Sequence, residues 1–253
     1  MAKILIPIPR RDFDPSEVSI SWKVLSEKGH QISFATPAGI PGIADQRMLT
    51  GKGLGPFQSM KANPDAISAY EKMVKSTEFQ SPLKWEDCAV ENFDTLVLPG
   101  GHAPGMREYL ESEVLQKIVA EFFRDKKIVG AICHGVVLAA RSKDPATGRS
   151  VLFEKKTTAL PAWMEMSAWA MTALWLGNYY RTYPKTVQTE VTENLKNPED
   201  FLVGPKGLKR DSLTHLEFGF VVKDENYISA RWPGDAHCFA NEVEKSFKTT
   251  NCT

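Results

Sequence analysis

The chain has 253 residues, 42% of them hydrophobic and 25% charged, with 31 Lys and Arg against 31 Asp and Glu. A net charge of zero without a long basic run excludes a general nucleic-acid binder, which needs clustered cations to displace counterions. No run of about 18 apolar residues suggests a membrane span, and the apolar start before Pro7, Pro9, Arg10 and Arg11 is too short for a secretory signal. The expectation is a soluble, cytoplasmic protein.

In chain order, Lys3–Ile8 reads as a buried parallel strand. Asp14-Pro15-Ser16-Glu17 then opens a helix, with Asp14 as N-cap, Pro15 in the first helical position and Glu17 closing a capping box. Val18, Trp22 and Leu25 form its apolar stripe, Gly29 stops it, and Gln31–Ala35 follows as a second strand. This β-α-β opening is the unit of a doubly wound, mostly parallel α/β sheet flanked by helices. Residues 38–91 break the pattern with many glycines and prolines. They are expected to form a cap insertion holding one helix from Asp65 to about Val74.

Strand Thr95–Leu98 leads into the turn Pro99-Gly100-Gly101-His102, and Val114, Leu115, Ile118, Val119 and Phe122 mark the next helix. Strand Lys127–Ile132 runs directly into Cys133-His134-Gly135 and a further helix. A short strand, Thr157–Leu160, precedes an aromatic and methionine-rich stretch from Trp163 to Tyr183, which reads as a packed helix or as the wall of a small-molecule pocket. Phe218–Val222 and Tyr227–Arg231 form a hairpin, and Phe239, Val243 and Phe247 stripe a closing helix. The simplest account is one domain over 1–253 with insertions near 38–91 and 163–215.

The four cysteines, at 88, 133, 238 and 252, form no Cys-x-x-Cys pair, and no histidine cluster has metal-ligand spacing; neither a zinc site nor a disulfide framework is expected. Cys133 stands apart. A thiol on a sharp strand-to-helix turn points into the crevice at the carboxyl ends of the strands. The helix start is expected to lower its pKa toward the thiolate, and backbone N–H groups at the same turn can receive an oxyanion. Gly135 permits close backbone approach, and the Gly100-Gly101 turn supplies a second set of donors at the same edge. His102 could line the site or bond only through its backbone.

These motifs together resemble the ThiJ/PfpI (DJ-one-like) superfamily, which implies a flavodoxin-like or class I glutamine-amidotransferase-like sandwich. The long insertion is similar to that of its larger branch, the glyoxalase III and heat-shock-chaperone type. The resemblance implies Cys133 as nucleophile, Glu17 as the helix carboxyl that hydrogen-bonds the thiol, and His134 as base. It places a third acid about 30 residues on; Glu165, 32 residues after Cys133, is the expected partner orienting His134, although Ala162 stands where some members carry Asp. Gly100, Gly101, His102, Gly135 and Trp163 are the expected oxyanion or substrate contacts. The implied chemistry acts on a small 2-oxoaldehyde such as methylglyoxal and uses no metal, glutathione or nucleotide cofactor. A homodimer is the expected assembly, and unfolded client proteins are partners if the chain follows the chaperones or redox sensors of the superfamily. Protein deglycase, peptidase and amidotransferase activities also belong to proteins with this cysteine turn. The amidotransferase reading would use a downstream His-x-Glu, a form that His215-Leu216-Glu217 has.

Overall fold

Strands buried on both faces are apolar throughout, because helices cover each side of a parallel sheet. Thr95–Leu98 and Ile128–Ile132 are of this kind, with every residue buried. The structure is a computed structural model that describes residues 1–250, with side chains as far as Phe247; Cys252 lies outside them.

The strands are β1 (Lys3–Pro7), β2 (Arg11–Phe13), β3 (Gln31–Thr36), β4 (Ile43–Ala44), β5 (Leu83–Lys84), β6 (Thr95–Leu98), β7 (Ile128–Ile132), β8 (Val221–Asp224) and β9 (Tyr227–Ala230). The helices are α1 (Pro15–Glu27), α2 (Gln46–Thr50), α3 (Pro64–Met73), α4 (Thr77–Gln80), α5 (Arg107–Leu110), α6 (Glu113–Arg124), α7 (Gly135–Arg141), α8 (Ala162–Leu176), α9 (Val187–Glu193) and α10 (Ala236–Thr250). Seven strands make one sheet in the order β5-β3-β1-β6-β7-β9-β8, parallel except for β8 against β9. This is the mostly parallel, helix-flanked α/β fold the sequence predicts. The order reverses at β1, which is followed by β3 on one side and has β6 on the other. A crevice opens there at the carboxyl ends of β1, β6 and β7.

Helix α1 begins as expected: the Asp14 carboxylate accepts from the Ser16 and Glu17 N–H groups at 2.8 and 3.0 Å. The capping box does not form. The Asp14 N–H donates instead to the Gly100 carbonyl at 2.9 Å, which frees the Glu17 carboxyl to point at the neighbouring turn.

Residues 157–160 are not a strand of the sheet. β9 already occupies the edge of β7, so Thr157 makes only an isolated bridge to Phe201 and the Thr158 N–H donates to the Ser229 hydroxyl at 3.0 Å. The 38–91 insertion folds into β4, α2, α3, α4 and β5, with β4 pairing β2 in a separate small sheet. Met48 and Leu54 from this insertion pack with Tyr180 in a small cluster apart from the main core, so the two insertions meet over the crevice. Among the described residues no helix is long and apolar enough to cross a membrane.

Candidate active site

Cys133 leaves β7 with a left-handed backbone (φ 56°), and its N–H donates to the Ala230 carbonyl at 3.0 Å, so the turn is anchored to β9. A residue with a Cβ pays about 1–2 kcal/mol for that conformation. The close fit of the neighbouring turns holds it. A Cβ on Gly135 would lie 2.1 Å from the Leu98 carbonyl oxygen, and one on Gly100 would lie 2.6 Å from the His134 nitrogen. The β6 and β7 turns therefore interlock backbone against backbone. Gly100 and Gly135 serve that packing and do not line the cavity, which corrects their expected place among the substrate contacts. The Gly100 N–H is in addition engaged by the Glu17 carboxylate at 2.6 Å, so it is not free for an oxyanion.

Glu17 and Cys133 are both fully buried and interact side chain to side chain. Burial, followed by the nearby Asp14 charge, holds the Glu17 carboxyl well above the usual range, which favours its protonated form. Its Oε1 is buried and makes no hydrogen bond, whereas Oε2 holds the Gly100 N–H. Burial, then the carboxyls of Glu17 and Asp14, also push the Cys133 thiol well up. The expected lowering by the helix start is overturned: α7 is short, and its His134 N–H, which favours the thiolate, is outweighed by desolvation.

The His134 ring lies with Nδ1 3.5 Å from the Cys133 sulfur and Nε2 3.1 Å from the Thr182 hydroxyl. Thr182 has one proton to give, and its Oγ1 donates it to the His102 carbonyl at 2.7 Å. It must therefore accept from His134 Nε2–H, which leaves the Nδ1 lone pair facing the thiol. Burial, followed by the charges of His102 and Arg141, lowers the His134 pKa to about 3, so the imidazole is neutral at rest. Glu165 does not fill its expected role. Its Oε2 accepts from the Val187 N–H at 2.9 Å, and Oε1 pairs with Arg181 at 3.4 Å. The first turn of α9 has unpaired N–H groups, and the buried carboxylate satisfies one of them instead of reaching the histidine. Glu165 nevertheless borders the same cavity as Cys133, and burial raises its pKa to about 7.

That cavity, about 280 Å³, is also lined by Glu17, Gly101, His102 and Trp163, by Tyr180 of the aromatic stretch and by Asp14, the α1 cap. Arg210, which the sequence did not single out, lines it too, and Thr182 stands just behind His134. No motif marks Thr182 or Arg210; each arrives through the long segment after α8. The His102 ring stacks on Tyr180 at 4.3 Å between centroids, and its buried Nε2 has no protein partner. His215 lies outside the cavity, exposed, with its ring bonded to Glu217 at 2.9 Å, so the His-x-Glu pair does not reach the cysteine.

A thiol, a neutral imidazole whose free ring nitrogen faces it, and a buried carboxyl beside a cavity can form and break a bond to a carbonyl carbon. Known proteins are similar to this chain over much of its length. A Schizosaccharomyces pombe protein of uncharacterised function is 28% identical over 243 residues, 92% of this chain and 79% of its own. The glutathione-independent glyoxalase hsp3102 of the same yeast is 27% identical over 146 residues, 57% of this chain and 58% of that protein. The crystal structure of glyoxalase III from Candida albicans superposes with a TM-score of 0.69 at 20% identity, covering 97% of each chain. The ThiJ/PfpI-like family profile matches residues 8–205, a span that includes Glu17, Cys133 and the Thr182 support, and the chain belongs to that family.

Proposed function

We propose that this protein is a glutathione-independent glyoxalase that converts a 2-oxoaldehyde to a 2-hydroxy acid. The observation that carries the reading is His134 Nδ1 lying 3.5 Å from the Cys133 sulfur, which borders the cavity. Partial likeness to relatives named as glyoxalases supports it. The Cys133 sulfur adds to the aldehyde carbon as its proton passes to His134, giving a hemithioacetal. With that proton passed on to the new hydroxyl oxygen, the imidazole removes the hydrogen on the same carbon as a proton, and the electron pair forms an enediol. Reprotonation at the adjacent carbon yields a thioester, so one carbon is oxidised as its neighbour is reduced. Water then cleaves the thioester, releasing the hydroxy acid and restoring the thiol. The Gly101 and His134 N–H groups are the donors proposed for the developing oxyanion.

The reading is tested by following methylglyoxal loss without glutathione in wild type and Cys133→Ala. Wild type should consume it and the variant should be at least a thousandfold slower. Equal, background rates in both would overturn the proposal.

A holding-chaperone role draws on a different observation. Helix α8 exposes Leu174 at 97% and Trp175 at 44%, an apolar face turned to solvent. Suppression of client aggregation that survives Cys133→Ala but is lost in Leu174→Glu would favour that role.

A further inference from the structure

The cavity over Cys133 is much larger than a three-carbon aldehyde requires. At about 30 Å³ of liquid volume per water, its 280 Å³ would hold roughly nine waters. Its charged lining groups are already engaged by the protein. Asp14 caps α1, Glu17 holds the Gly100 N–H, Glu165 holds the Val187 N–H, and Arg210 donates to the Met60 and Lys61 carbonyls. Ser59 and Ser167 are solvent-exposed. What remains to meet a bound molecule is sulfur, indole and methyl surface: Met48 and Met60 from the first insertion, Trp163, Ala168 and Met171 from α8, and Trp232 after β9.

Resting on the glyoxalase reading, we infer that the preferred substrate is a 2-oxoaldehyde carrying a bulky apolar group, aryl or branched alkyl, in place of the methyl of methylglyoxal. Beyond the exposed Ser59 and Ser167 hydroxyls and the ring nitrogens of His102 and Trp232, the walls offer few hydrogen-bonding groups to the several hydroxyls of a sugar-derived dicarbonyl, and leaving such hydroxyls unpaired is costly. An apolar ring would displace the water from these walls, and methionine side chains adapt to irregular apolar shapes. Among the lining residues two buried ring nitrogens, His102 Nε2 and Trp232 Nε1, have no protein partner, and they are the candidates to meet the ketone oxygen. The covalent steps and their balance are those already given; only the group on the ketone carbon changes.

The test compares kcat/KM for phenylglyoxal and methylglyoxal in wild type and in Ala168→Phe, with Met171→Phe as a second wall-filling variant should the first fail to fold. Wild type should favour phenylglyoxal at least tenfold, since a single methylene in an apolar pocket is worth about tenfold or more. The filled pocket should lower that ratio at least tenfold, which removes the intrinsic reactivity of the two aldehydes from the comparison. Turnover of both with a ratio that neither variant changes overturns the inference and leaves the glyoxalase reading intact. If neither aldehyde is consumed, the glyoxalase reading fails. The pocket is then judged by tryptophan-fluorescence titration of Cys133→Ser with mandelate and lactate. Mandelate binding at least tenfold tighter, and lost on adding Ala168→Phe, supports the apolar pocket; equal binding of the two overturns it.

Discussion

Thr182 sets the proton inventory of the site, because a hydroxyl that donates to the His102 carbonyl can only accept from His134. Thr182→Val keeps the shape and removes that acceptor, so the imidazole loses its preference for the productive tautomer. The expected outcome is a fall in kcat of about tenfold to a hundredfold, with a stability loss of about 1–3 kcal/mol from the buried His134 N–H left unpaired. Glu165→Gln should cost under about threefold in kcat, since an amide oxygen can still accept from the Val187 N–H. Steady-state kinetics on the two variants separate the supports. A loss confined to Glu165→Gln would restore the carboxylate to the role of orienting acid.

Glycine and cap positions show how β6, β7 and α1 are made to converge. Gly135 opens α7 against the Leu98 carbonyl, and a methyl group there would sit 2.1 Å from that oxygen. Gly135→Ala must therefore separate β7 from β6 or fail to fold. We expect a loss of about 3 kcal/mol or more in urea unfolding, with activity lost as well. Asp14 belongs to the same junction: its side chain caps α1 while its N–H is held by Gly100. Asp14→Ala should lose about 1–2 kcal/mol, and Asp14→Asn, which keeps the cap, much less. Helix α8 behaves differently from the core helix its composition suggests. Only Met164, Glu165 and Thr172 along it are buried, and its apolar residues divide between the cavity and solvent.

Over the whole molecule, buried ionisable groups give stability an identifiable pH dependence. The Glu165 carboxyl, near 4.5 when unfolded, is raised to about 7 chiefly by burial. A raised folded pKa contributes stability that is fully present below the unfolded value and lost as pH rises through the folded one. Glutamine does not titrate, so the stability of Glu165→Gln relative to wild type should climb between about pH 4.5 and 7 and level off above that. Urea titrations at pH 4.5, 6 and 8 check this, and a flat difference would sink it. His102 and His134 act in the opposite direction: with folded pKa values lowered to about 3, they contribute stability that is present above about 6.5 and lost as pH falls toward 3. Much of this architecture was legible in the residues themselves. Local patterns mark β1, α1, β6, β7 and the elbow at Cys133, because apolar runs, a cap and glycine turns act over a few neighbouring residues. Glu17 and Cys133 are likewise named by their turns and by the family motif those turns resemble. The partner of His134, the burial that raises the thiol pKa, and the walls of the cavity depend on segments distant in sequence meeting over one sheet edge. The family resemblance implied Glu165 as the acid, but the start of α9 engages that carboxylate and Thr182 stands at the histidine. The sequence by itself determined the parallel α/β core and its cysteine turn, since these follow from short-range periodicity and backbone sterics. Only the tertiary structure decided the protonation states and the shape of the pocket, because desolvation and hydrogen-bond partnership depend on what packs around a group rather than on what adjoins it in the chain.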